Sequence, residues 1–208
     1  MMRKTKKLPN KFYETKPLIS IANSLDLYDH PFRTGEYGLY QGRPGQRMEE
    51  KEYNFIYGTN ALQESLIKYD FLSQVDGRAM FLVHKRVLDK LQEMCLDDFQ
   101  AFPATIKNIK KKNPDFENHD YYVLHIIPLV DAIDKDKTMI KVIHEERWEI
   151  KNLIFKEKCM GKHLLARVKY KVGIYIFAPE LAREFACSRG IEFYSDIEHH
   201  SWRLHFFI

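Results

Sequence analysis

DYYVLHIIPLVDAIDKDKT, residues 120 to 138, opens as a strand and closes as an acidic turn. The run YYVLHII (121–127) is almost unbroken in apolar residues, the composition of a strand covered on both faces, so the fold must supply a layer on either side of it. Pro128 interrupts the run, and Asp131, Asp134 and Asp136 follow within six residues. Such a group of carboxylates is either an acid-base site or a turn whose aspartates accept backbone N–H groups. Acid-base pairs need surroundings that push their pKa values apart, normally one carboxyl buried and one solvated. Here alternation turns Val130, Ala132 and Ile133 inward, Asp131 and Asp134 bracket them, Lys135 and Lys137 neutralise the acids, and no nucleophile stands beside them. Asp134 is better suited to closing the turn through its own backbone. His125 shares a strand face with Tyr121 and Val123, which predicts a hydrogen-bonded core histidine rather than a catalytic one.

Outward from this strand, two stretches share a pattern. MFLVHKRVLDKLQEM (80–94) and IYIFAPELAREFACS (174–188) each begin with apolar strand residues, cross a short junction and continue as an amphipathic helix. The helix faces are Val87, Leu88, Leu91 and Met94 or Cys95 in one, and Leu181, Ala182, Phe185 and Ala186 in the other. Pro179 suits a first helical position and Gly190 a C-terminal cap. A strand follows each helix, FQAFPATI (99–106) and IEFYSDI (191–197). LLARVKYKV (164–172) alternates as one half-exposed strand should, and Leu62, Leu66 and Ile67 predict a short helix within 61–70. The N-terminal part, including LDLYDHPFRTGEYGLYQGRPG, is rich in turn residues and aromatics. The fold class is therefore α+β, with mixed β-sheets, two strand-helix-strand units and a loop-rich N-terminal part. The polar connection KNIKKKNPDFENHD (107–120) predicts a solvated hairpin loop, and a division into two lobes, if present, would fall there.

The composition bounds the function. A chain of 208 residues with 45% hydrophobic content buries a sizeable core. Its net charge of +4 invites a nucleic-acid partner, but residues 1–16 hold six basic residues against Glu14, a balance of +5, so the body carries −1. Residues 1–17 are expected as a flexible basic leader ahead of a domain spanning 18–208. The apolar run behind the leader, Leu18 to Ala22, is too short for a secretory signal, and no stretch reaches membrane-spanning length. Cys95, Cys159 and Cys187 are odd in number and widely spaced, as in a reducing compartment. A cytoplasmic protein is expected.

For catalysis the chain offers little. It has no P-loop, no dinucleotide fingerprint, no HExxH and no GxSxG. One alternative is a metal-dependent hydrolase that gathers Cys159 and His163 with His199, His200 and His205 of the His-rich C-terminus, since zinc needs three or four converging ligands. Another is a nucleic-acid-binding module using Lys107, Lys110, Lys111 and Lys112, although Asp115, Glu117 and Asp120 follow at once.

Taken together, the segments resemble the immunity protein 11 family, bacterial proteins encoded beside polymorphic toxins. The signature is 120–138, in which an aromatic-rich strand with Tyr121 and Tyr122 leads to a Val-Asp-Ala-Ile-Asp turn and a hydroxyl residue. Its acids are Asp131 and Asp134, and its hydroxyl is Thr138. The Asp-Tyr-Asp opening with its Gly-Arg-Pro turn (26–45), FLVHKRVLDKL, FQAFPATI and IYIFAPELAREFACSRGIEFY stand in the same order, so the resemblance covers roughly 18–197. His125 and Pro128 depart from the usual signature. The resemblance implies a protein that binds a cognate secreted toxin and occludes it without catalysis or cofactor, and that needs neither nucleic acid nor membrane. Aromatic side chains with charged rims are the usual material of such interfaces. Candidates are Tyr28, His30, Phe32, Tyr37 and Tyr40, and C-terminal Trp202, Arg203 and Phe206, with packing against the core as the competing role.

Overall fold

The computed structural model describes residues 13–17, 26–27, 45–48, 55–59, 68–73, 81–108, 117–144, 147–169, 171–194 and 202–203. The helix expected within 61–70 lies outside them apart from 68–70, which form a turn.

The first predicted unit is present as β5 (Phe81–His84), α1 (Lys85–Cys95) and, after a 3-10 turn (Leu96–Asp98), β6 (Phe99–Asn108). His84 caps α1, its Nδ1 accepting the Arg86 N–H at 3.2 Å. Val87, Leu88, Leu91 and Cys95 form the buried stripe, the spacing a helix needs to lay one face on a sheet. The outer face is neutralised by its own pairs, Lys85 with Asp89 and Lys90 with Glu93. The long strand β7 (Glu117–Ile126) pairs antiparallel with both β5 and β6 and so lies between them. The unit is a split βαβ in which a later strand fills the gap. The strands either side of residues 109–116, β6 and β7, thus pair in one sheet. β2 (Asp26–Leu27), β3 (Phe55–Thr59) and β4 (Phe71–Ser73) complete six strands in the order β2-β3-β6-β7-β5-β4.

The second unit repeats the arrangement. β12 (Lys171–Phe177) leads through Ala178 to α2 (Pro179–Glu184), with Pro at the helix start, and then to β13 (Ile191–Tyr194). The strand between β12 and β13 comes from the other end of the sequence. Residues Tyr13–Pro17, expected to close a flexible leader, form β1, antiparallel to both neighbours, with Thr15 opposite Tyr175 on one side and Phe193 on the other. A basic, weakly apolar composition misrepresented a strand that is held by long-range backbone pairing. β11 (Leu165–Val168) and β8 (Leu129–Val130) extend this sheet to β13-β1-β12-β11-β8. LLARVKYKV, expected as one half-exposed strand, is instead divided. Leu165 to Val168 are all buried, Lys169 turns, and β12 begins at Lys171. Its alternation failed because Arg167 is buried rather than solvated. β9 (Met139–His144), β10 (Arg147–Asn152) and β14 (Trp202–Arg203) form a third, three-stranded sheet.

One core joins the two larger sheets. Val83, Leu91, Leu124 and Ile126 from the first unit pack with Phe177, Leu181, Phe185 and Ile191 from the second and with Leu165 of β11, and the Phe71 and Phe185 rings meet edge to face at 5.6 Å. A backbone clasp reinforces the joint. Asp70 and Phe71 both donate their N–H to the Arg189 carbonyl, at 2.9 and 3.0 Å, and the Asp70 carboxylate accepts the Arg189 N–H at 2.7 Å and Arg86 Nε at 2.5 Å. Gly190 makes that approach possible. Its φ is +91°, and a Cβ there would stand 1.9 Å from the Phe71 carbonyl oxygen. Gly190→Ala is therefore expected to destabilise by roughly 2–4 kcal/mol in urea denaturation, from left-handed strain plus a backbone clash. A loss below 1 kcal/mol would mean that the clasp slides apart freely.

Candidate functional site

The segment 128–138 was singled out by its aspartates, and the structure shows what holds each of them. β8 runs parallel to β11, the Pro128 and Val130 carbonyls accepting Arg167 and Lys169 N–H at 2.8 Å. The chain then turns against residues 153–156. Asp134 donates its N–H to the Ile154 carbonyl at 2.9 Å, and Lys156 donates to the Ala132 carbonyl at 2.8 Å. Ala132 and Ile133 drop into a small core with Leu153, Met160, Ala166, Val168 and Ile176. Burial of these two apolar residues leaves the flanking carboxylates facing outward.

Asp134 Oδ1 accepts the N–H groups of Asp136 and Lys137, both at 3.2 Å, and its carbonyl accepts the Thr138 N–H at 2.8 Å. Thr138, buried, donates its hydroxyl to the Ile154 carbonyl and accepts the Ile154 N–H, each at 3.2 Å. Asp131 takes Lys156 Nζ at 2.7 Å. Partial burial works against ionisation of Asp134, but Lys137 and the turn's N–H groups outweigh it and hold the carboxyl below its usual value. Asp131 is held low chiefly by the hydrogen bond from Lys156, with Lys135 and Lys169 adding to it. Both acids are pushed the same way, whereas an acid-base pair needs them driven apart. Asp134→Ala is expected to lower the melting temperature by about 2–4 °C, the shift produced by losing one turn-closing set of hydrogen bonds in a chain of this size. An unchanged melting temperature would show that the turn does not depend on the Asp134 carboxylate.

The signature tyrosines sit upstream on β7. Tyr121 is fully buried, donating its hydroxyl to the Tyr69 carbonyl at 2.9 Å and stacking edge to face on His84. Tyr122, half-buried, packs on the main core. Three residues beyond Tyr122, His125 is buried and its Nε2 donates to the Gln46 carbonyl at 2.9 Å, leaving Nδ1 to face Arg167 at 3.4 Å. Arg167 lies with its guanidinium carbon 5.6 Å from the centre of the Tyr175 ring. Beside His125 in register, Gln100 grips Met48 through both amide atoms, accepting its N–H at 2.6 Å and donating to its carbonyl at 3.1 Å. Together the pair pins residues 46–48 onto the sheet.

Burial, with Arg167 adding, lowers the His125 pKa from its ordinary 6.5, although the bond to Gln46 opposes this. His84 is lowered in the same direction, again first by burial. A lowered folded pKa means that below 6.5 the unfolded chain takes up protons the folded chain resists. Stability is thus expected to be level above that pH and to fall below it, with a limiting slope of about 1.4 kcal/mol per pH unit for each proton. His125→Gln, which keeps a donor for Gln46, should flatten the decline between about pH 6.5 and 5 in chemical denaturation. An unaltered slope would assign the titration to other groups.

Asp98 was not anticipated. Its buried carboxylate accepts His163 Nδ1 at 2.5 Å and the N–H groups of Leu164 and Leu165 at 2.8 and 3.1 Å, while its carbonyl accepts the Ile127 N–H. Cys159, the other half of the sequence's metal alternative, has its thiol pushed up to about 11 by burial, the opposite of an activated nucleophile. Among the described residues no group of three or more His, Cys, Asp or Glu side chains is placed to hold a metal ion. His199, His200 and His205 lie outside the described residues. So do Lys110, Lys111 and Lys112 of the basic loop, while Lys107 pairs with Glu117 at 2.6 Å.

Of the expected interface residues, Tyr28, His30, Phe32, Tyr37, Tyr40 and Phe206 also lie outside the described residues. Trp202 and Arg203 form β14, in register with Ile150 and Glu149 of β10. No helix among the described residues is long and apolar enough to cross a membrane. The signature's partners Ile154 and Lys156, from the return segment, and Lys169, from the end of β11, were invisible in the sequence because they come from two later crossings of the chain. A family model described as Immunity protein family (Imm11) matches residues 15–177, a span that begins within β1 and ends with β12. Among curated proteins none matches the chain.

Proposed function

The chain belongs to the Imm11 immunity protein family, and on that ground we propose that it neutralises a cognate bacterial toxin by stoichiometric binding and occlusion, without turnover of its own. Family membership carries this reading. It is supported by the local chemistry, since the two acids of the signature are committed to a turn and a lysine. Occlusion needs a rigid, complementary surface rather than reactive groups, and a turn held by side-chain and backbone bonds on both sides is such a platform. The toxin it meets is proposed to act in the cytoplasm, where an immunity protein of this kind would encounter it.

The test is to express the toxin encoded beside this gene in cells, directed to the cytoplasm or to the periplasm, with and without this protein. Cytoplasmic toxicity relieved by co-expression, together with a one-to-one complex of the purified pair in calorimetry, is the expected outcome. Cytoplasmic toxicity that this protein fails to relieve would overturn the immunity function. Toxicity confined to periplasmic targeting would overturn the compartment. Neutralisation at far below equimolar amounts would overturn occlusion in favour of turnover.

A further inference from the structure

We propose that His125 is a proton-operated latch: its neutral ring holds residues 45–48 against the six-stranded sheet, and uptake of one proton lets that strap open while the sheet beneath stays folded. Residues 45–48 belong to no strand. Among the described residues, three fastenings hold them to the sheet. Gly45 donates its N–H to the Ile127 carbonyl at 2.9 Å. Gln100 accepts the Met48 N–H at 2.6 Å and donates to the Met48 carbonyl at 3.1 Å. His125 donates from within the sheet, its Nε2 reaching the Gln46 carbonyl at 2.9 Å. Gly45, Gln46 and Arg47 are exposed and only Met48 is buried. With so little apolar burial, the strap depends on these bonds and belongs to the parts of a fold that open locally at low cost.

The ring fits this place only in its neutral form. Nε2 carries the proton given to Gln46, and Nδ1 turns its lone pair toward Arg167 Nη2 at 3.4 Å. A second proton, on Nδ1, would point at a donor, and both the ring and the guanidinium are fully buried, where a charged imidazole loses its hydration. The groups around the ring are Arg167 of β11 with the Tyr175 ring of β12 beside its guanidinium, Gln100 of β6, and the strap carbonyl. Arg47, the strap's own charge, lies 4.0 Å from exposed Asp97. None of the described groups facing the ring is a carboxylate that would welcome a proton. Burial, and after it Arg167, accordingly hold the His125 pKa below 6.5 against the pull of the Gln46 bond. The ring takes up a proton readily only by leaving its site, and leaving it gives up the Gln46 carbonyl. Because His125 and Gln100 are neighbours in register, the loss of one grip brings water to the other.

The experiment follows amide hydrogen exchange of the full chain by NMR from about pH 7.5 to about pH 5, corrected for the intrinsic pH dependence of exchange. The Gly45 and Met48 amides report the strap, and those of β7 report the sheet. The open fraction of the strap is expected to stay level above pH 6.5 and to rise below it, approaching about tenfold per pH unit and levelling off where the His125 ring itself titrates. β7 should keep its protection. His125→Gln offers a donor to Gln46 and an acceptor to Arg167 without a titrating proton, so it should hold the strap equally at every pH in the range. Strap protection independent of pH in the unaltered chain would overturn the latch. Loss of protection at β7 in step with the strap would also overturn it, because the whole sheet would then be opening. So would an undiminished pH response in His125→Gln, because another group would then be titrating. Should that variant not fold, the ring of the unaltered chain decides: a titration midpoint below 6.5 supports the latch, and one at 6.5 or above overturns it, since an unshifted ring gains nothing by opening.

Discussion

A chain that starts at residue 18 does not melt cooperatively, whereas one that starts at residue 13 does: this is the outcome expected from the position of β1. The strand is paired on both sides, with β12 through Tyr13, Glu14 and Thr15 and with β13 through Glu14 to Pro17. Its loss would strip backbone partners from two strands at once and open two edges in a five-stranded sheet. Buried or half-buried N–H and C=O groups left without partners cost about 1–3 kcal/mol each. Several together match the roughly 5–15 kcal/mol by which a domain is stable. Thermal scans and tryptophan fluorescence would read the effect, and exposed edges should also make the shorter chain aggregate. Coincident melting of the two chains would mean that β12 and β13 close on each other without β1.

Asp98→Ala is expected to produce the largest loss of any single substitution considered, roughly 3–5 kcal/mol in urea denaturation. Two N–H groups, of Leu164 and of buried Leu165, lose their acceptor, and His163 loses its partner. The change also severs the tie between the start of β6 and the start of β11, which belong to different sheets. Asp98→Asn keeps one acceptor oxygen and should fall in between. Asp97→Ala is the control. That carboxylate is 98% exposed and 4.0 Å from Arg47, so its removal should alter stability by less than about 0.5 kcal/mol. Equal effects at 97 and 98 would remove Asp98 from its place as a junction.

This pair shows where sequence stops informing structure. Asp97 and Asp98 are the same residue side by side, and only the arrival of residues 163–165 from a later part of the chain separates a solvated charge from a buried anchor. Arg167 misled for a related reason. Alternation placed it outward, yet His125 and the Tyr175 ring receive it inside. β1 was misread because YETKP carries the composition of a tail, and pairing with strands so distant leaves no local mark. What could be read was what local physics determines: the α1 stripe, the doubly covered strand at 121–127, the proline start of α2, and a turn-closing aspartate at 134; Gly190, expected to cap that helix, instead lies six residues past its end at Glu184 and admits the Phe71 backbone. The lysines beside the signature's acids were not legible, because Lys156 arrives with the return segment 153–156 and Lys169 through the parallel pairing of β8 and β11.

The insertion of β1 between β12 and β13 also bears on how the protein is made. β1 leaves the ribosome before any other described strand, and both of its neighbours are among the last to emerge. For most of translation its two edges have nowhere to go. Contacts so far apart in sequence slow folding, and an unpaired strand in a nascent chain is open to capture by another copy or by a holding chaperone. The sheet that carries β8 and the lysine-ringed turn therefore reaches its final form only when nearly the whole chain has been synthesised. A chain truncated anywhere before residue 191 would lack β13 and could not complete the sheet.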